Sequence, residues 1–190
     1  MNKMTFLNLK KFNLKISAVI LKMIENLKFP QLESVDLLDY HSPPKELSQR
    51  FYNQIKNTKI FACRNIQFTE GNLVAMKNLT DLSACDWQRL SYQMKMPIGI
   101  VNDLIKHNSL QKIYLPHFSC SFDVELLDKI ITLGKTKPTA NIRIELNCGK
   151  LDEQQTQTLN DYKQKLKENN WDPWIRIYEE KCEIYLSRNY

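Results

Sequence analysis

Glycine is scarce in this chain: four in 190 residues, at positions 71, 99, 134 and 149. No G-x-G-x-x-G and no G-x-x-x-x-G-K-[ST] can be assembled from them, which excludes both common backbone cradles for phosphate. The G-x-S-x-G turn that presents a nucleophilic serine is missing as well. Histidine is as rare, with His41, His107 and His117 and no paired H-x-x-x-H. The five cysteines (63, 85, 120, 148 and 182) contain no C-x-x-C. The usual zinc spacings are therefore absent, and the chain is expected to use no metal and no cofactor. Long apolar runs are lacking too. The best, residues 16–21, is ended by Lys22, whereas a secretory core needs about 7–15 residues and a spanning helix about 20. The expectation is an intracellular protein, cytoplasmic or nuclear, with reduced thiols and no membrane association.

Little suggests an active site. His117 and Cys120 stand three apart, a spacing more often met as a turn histidine beside a buried thiol. Asp152-Glu153 suits a helix N-terminus and Glu179-Glu180 a hairpin turn. The reading is a protein that is not an enzyme. The net charge of +6 is concentrated at the start, where residues 1–30 hold six lysines against Glu25 alone. A nucleic-acid-binding domain spreads its basic charge over its main surface. Nucleic-acid or acidic-surface binding through this Lys-rich segment is therefore the alternative reading, and a solvated first repeat the preferred one.

What is present is a repeat. Leu110, Ile113 and Leu115 have the spacing L-x-x-L-x-L, followed by an amphipathic stretch over residues 122–133. The same spacing recurs as Met4-Leu7-Leu9, Leu32-Val35-Leu37, Asn57-Ile60-Ala62, Leu79-Leu82-Ala84 and Asn141-Ile144-Leu146. Last anchors fall at 9, 37, 62, 84, 115 and 146, near the roughly 20–29 residues of leucine-rich repeats. Strand then helix, six times, implies parallel strands with right-handed crossovers. The predicted fold is α/β: one domain over 1–190, an irregular leucine-rich-repeat-like solenoid of about six repeats. Helices are predicted over residues 16–27, from Pro44 through Ile55, 98–106, 122–133 (closed by Gly134) and 152–170. Residues 174–178 and 182–186 alternate as a β-hairpin that caps the sheet. A doubly wound sheet gives the same strand–helix alternation, but its strands read as continuous apolar runs.

Residues between the anchors project from the uncovered face of such a sheet. One row is Asn8, Asp36, Phe61, Ser83, Tyr114 and Glu145; the next is Phe6, Ser34, Lys59, Asp81, Lys112 and Arg143. In that register Asp81 lies between Lys59 and Lys112, and Phe61 and Tyr114 are aromatic anchors of the kind that dominate interfaces. The binding residues expected are Asp36, Lys59, Phe61, Asp81, Ser83, Lys112, Tyr114, Arg143 and Glu145.

The units FPQLESVDLLDY, MKNLTDLSACDW and NSLQKIYLPHF, followed by WIRIYEEKCEIYL, resemble the leucine-rich-repeat-like C-terminal region of F-box proteins, particularly the divergent ones expanded in nematodes. The resemblance covers most of the chain. It implies a substrate-recognition module of a ubiquitin-ligase adaptor, with a protein partner and ligase subunits as associates. The L-P-x-x-[LI] helix start of an F-box is not found in the sequence.

Overall fold

The computed structural model describes residues 5–15, 20, 23–24, 26–38, 45–64, 66–67, 71–85 and 98–188. The strands in chain order are β1 Lys11–Lys15, β2 Ser34–Leu38, β3 Lys45–Glu46, β4 Ile60–Arg64, β5 Ile66–Gln67 and β6 Asp81–Cys85, then β7 Lys112–Cys120, β8 Asn141–Gly149, β9 Asp172–Ile177 and β10 Lys181–Arg188. Eight of them form one sheet in the order β1-β2-β4-β6-β7-β8-β10-β9, while β3 and β5 pair separately. The first six strands of that sheet are mutually parallel, and the terminal hairpin adds antiparallel, β10 against β8 and β9 outside it. The order advances one way, without the reversal that defines a doubly wound sheet.

Why the strands stack so regularly is visible at their starts. The carbonyl of Lys10 accepts from the amides of Glu33 and Ser34, and that of Glu33 from Lys59 and Ile60. Lys59 in turn accepts from Thr80 and Asp81, and Thr80 from Gln111 and Lys112, every bond 2.8–3.0 Å long. One carbonyl thus receives two successive amides at each step, so every unit positions the next. The anchors follow: Phe12, Val35, Phe61, Leu82, Ile113 and Ile142 are register partners, as are Leu14, Leu37, Cys63 and Ala84 in the first four strands and Leu115 and Ile144 in the next two. From Val35 and Leu37 onward all are buried.

The helices whose full extent lies among the described residues are α1 Gln49–Gln54, α2 Ile98–Lys106, α3 Val124–Thr136 and α4 Glu153–Glu168, with a 3-10 turn at Leu73–Ala75; Ile20, Met23 and Ile24 are helical as well. The Ser48 side chain starts α1 by accepting from the Phe51 amide at 3.1 Å. Helix α4 has the lowest share of apolar residues and starts with a reciprocal cap: Asp152 accepts from the Gln155 amide while Gln155 accepts from the Asp152 amide. Tyr162 and Lys165 of α4 both donate to Asp128 of α3, tying a weakly amphipathic helix to its neighbour. No helix among the described residues is long and apolar enough to cross a membrane.

Several expectations are corrected. The first strand is not at residues 4–9, since Leu7 is exposed and β1 begins at Lys11. The L-x-x-L-x-L spacing is met instead by Leu9, Phe12 and Leu14, whose neighbours in β2 are Val35 and Leu37. In β4 the inward residues are Phe61 and Cys63, with Ile60 46% exposed. The helix expected from Pro44 starts at Ser48, after β3. Gly134 does not end α3: the helix runs on to Thr136 and is capped by Lys137, whose amine donates to the Ile105 carbonyl at the end of α2. Most of the helix expected over residues 16–27 lies outside the described residues, as do the turn at 41–44, Asn65 and the loop at 88–97.

Candidate functional site

One face of the sheet is buried under the helices, and most of the described side chains on the opposite face are exposed or half-buried, Glu145 of β8 being a buried exception. Pairing register sets the rows on this outer face. The central row reads Asn13, Asp36, Ala62, Ser83, Tyr114, Arg143 and Ser187. Beside it run Ser34, Ile60, Asp81, Lys112 and Asn141.

The expected binding residues fall as follows. Asp36 is on the face and accepts from the Asn13 amide group at 3.2 Å. Ser83 is on the face, beside Tyr114. Asp81 and Lys112 are opposite each other, their charges 3.6 Å apart. Lys59 is not beside Asp81 in the row with Ser34 and Lys112: it precedes β4, and Ile60 takes the position paired with Asp81. Phe61 is a correction of a stronger kind. It is fully buried, packed edge-on to Tyr52, because β4 lies one residue from the expected register and a one-residue slip exchanges the two faces. Arg143 and Glu145 are both on the outer side, but Arg143 is the register partner of Tyr114, a shift of two residues that keeps the face and changes the neighbours.

That shift builds a compact site. The Arg143 guanidinium lies 5.4 Å from the centre of the Tyr114 ring, a cation–π contact on an exposed face. Its Nε and Nη2 both donate to one oxygen of Glu145, at 2.9 and 2.7 Å. Glu145 is only 4% exposed, so its carboxylate is held beneath the surface and fixes the arginine above it. On the other side Tyr185 is the register partner of Glu145 and packs on Trp174 with ring centres 4.9 Å apart. Arg176 then covers Trp174, its guanidinium 3.7 Å from the ring centre.

Beyond this band Glu183 gathers Lys181 at 2.6 Å and the hydroxyls of Tyr185 and Tyr178. The ammonium of Lys181 is the main cause that holds the Glu183 carboxyl below the usual carboxylate range, with the Tyr185 hydroxyl adding to it. Tyr185 is pushed the other way, first by burial and then by its bond to Glu183. The hairpin therefore supplies half of the site, where sequence reasoning gave it only a capping role. The signal was present in the alternation of Trp174, Arg176 and Tyr178, which lines up one side of β9 and its exit.

The chemistry of the band is aromatic stacking and paired charge, with no nucleophile–base pair in it. Among the described residues no group of three His, Cys, Asp or Glu side chains converges to hold a metal ion. The chain matches no protein-family model, no curated protein and no solved structure.

Proposed function

We propose that this chain is a protein-recognition module of the leucine-rich-repeat-like type, not an enzyme, and that it binds its partner across the outer sheet face. One observation carries this reading: Tyr114, Arg143, Tyr185, Trp174 and Arg176 form a continuous aromatic and arginine band over four adjacent strands. Tyr, Trp and Arg are the side chains that most often dominate binding energy, because they bury large area with little conformational entropy to lose. Tyr114 and Trp174 are 39% and 49% exposed, large aromatic surface left in water by a chain with ample core to hide it. The resemblance to the repeat region of F-box proteins adds a context, in which the partner is a substrate presented to a ubiquitin ligase.

The test is affinity capture of the tagged full chain from its native cells, wild type against Tyr114→Ala and Trp174→Ala. The expected result is a partner set that includes ubiquitin-ligase subunits, with a discrete partner depleted at least tenfold in both variants while their thermal midpoints stay close to wild type. Identical partner sets for all three proteins overturn the face. Ligase subunits absent from all three overturn the adaptor context alone.

A further inference from the structure

We propose that Cys120 and Cys148 form an oxidation site, closing to a cross-strand disulfide when a hydroperoxide reaches the end of the sheet. The site lies on the helix-covered side, away from the aromatic band. Cys120 is the last residue of β7 and Cys148 the penultimate residue of β8, and they are register partners with sulfurs 3.4 Å apart. Neighbouring strands run about 4.7–4.9 Å apart, inside the Cα span of about 4.4–6.8 Å that a disulfide needs. Side-chain rotation suffices to bring the sulfurs to a bond of about 2.05 Å.

The two thiols are unequal in the way the reaction requires. Cys120 is half-buried and reachable, whereas Cys148 is buried behind it. The two sulfurs are hydrogen-bonded to each other, and this contact lowers the pKa of Cys120 against the opposing effects of burial, Cys182 and Asp123. The same bond, with burial, pushes Cys148 up. Cys182, the register partner of Cys148 on β10, is pushed up to about 11, chiefly by burial. Three thiols thus form a row across three strands, and only the outermost is both accessible and biased toward the thiolate, the form that attacks peroxide.

The steps balance. The Cys120 thiolate attacks one peroxide oxygen, the O–O bond breaks, and the departing hydroxide takes up a proton as water. The Cys148 thiol then attacks the resulting sulfenic sulfur, and the hydroxyl leaves with the Cys148 proton as a second water. Two thiols are oxidised, one peroxide is reduced, and β7 becomes covalently joined to β8 beyond the register break that lies between Leu115 and Phe118.

The experiment treats the reduced full chain with a small excess of hydrogen peroxide, blocks remaining thiols under denaturing conditions and maps the peptides. The expected product has lost two of its five thiols, is lighter by two hydrogens, and yields one linked pair containing Cys120 and Cys148. In Cys148→Ser the sulfenic acid should persist at Cys120 and be trapped by dimedone. In Cys182→Ser the linkage should form as in wild type. A bond between any other pair, a bond between two chains, or oxidation of Cys120 no faster than that of buried Cys63 overturns the proposal. The peptide map of the wild-type chain decides it even where a serine variant fails to fold.

Discussion

At the scale of single residues, Tyr114 and Leu115 separate the two faces of the same strand. Leu115 is fully buried beside its register partner Ile144, while Tyr114 projects outward. Leu115→Ala should cost about 2–5 kcal/mol, because the lost transfer energy is joined by a cavity in a packed interior. Tyr114→Ala should cost well under half as much. Chemical denaturation of the two variants measures the difference directly. Equal losses would mean that the outer face is covered in solution. This contrast was legible in the sequence because Leu110, Ile113 and Leu115 leave no second apolar frame. Residues 57–63 do offer two, Asn57-Ile60-Ala62 and Thr58-Phe61-Cys63, and nothing local chooses between them. The choice comes from Val35 and Leu82 on the flanking strands, which need Phe61 beside them in the core.

A second residue-scale prediction concerns pH. Glu183 has a folded pKa below its ordinary value, chiefly because Lys181 donates to it. A depressed carboxyl pKa stabilises the fold at pH values above the unfolded pKa, about 4.3 for glutamate, and that stabilisation is lost as pH falls through the folded value. Wild type should therefore be more stable than Glu183→Gln at pH 7, with the gap closing below about pH 4. Thermal midpoints of both proteins across that range test it, and a gap independent of pH would show that the charge of Glu183 contributes nothing.

At the scale of elements, helix α3 shows where local signals mislead. Glycine followed by Lys-Thr-Lys-Pro reads as a helix stop, since glycine is the usual residue just past a helix end. Here Gly134 is inside the helix, and a Cβ at this position would lie 2.6 Å from the Arg188 guanidinium and 2.6 Å from the Trp171 indole nitrogen. The glycine exists to let α3 approach the end of the chain, a contact made across more than thirty residues and invisible to any local window. Gly134→Ala should gain about 1 kcal/mol in helix propensity yet destabilise the protein overall, by about 1–3 kcal/mol, because the buried indole has to move. A raised denaturation midpoint would refute the close approach. The ends of α4, by contrast, were readable: Asp152 caps its start, and its end is followed by Asn170 with φ of 62°, a left-handed conformation that asparagine tolerates better than most residues.

At the scale of the whole molecule, the strand lengths set a gradient. Strands β1, β2, β4 and β6 have five residues each, whereas β7 and β8 have nine and β10 has eight. In a sheet that grows unit by unit, each strand is held mainly by its two neighbours, so stability is distributed along the array and need not be uniform. The long strands form the interior of the C-terminal half, with β10 paired on both sides. At the other end β1 has β2 as its strand neighbour, and its side chains alternate only between exposed and half-buried. The anchor spacing of most of these strands was legible in the sequence. The gradient was not, because strand length depends on how far each pairing continues after the last anchor, as at Phe118 to Cys120 against Leu146 to Cys148. Native-state hydrogen exchange should therefore find the slowest amides in β7, β8 and β10 and the fastest in β1, with β2, β4 and β6 between them. Their opening free energies should fall stepwise toward the N-terminal edge, because each lost strand removes the partner of the next. Identical opening energies in all seven strands would mean that the sheet unfolds as one cooperative unit, and that the aromatic and arginine band on its C-terminal half is no more rigid than the rest.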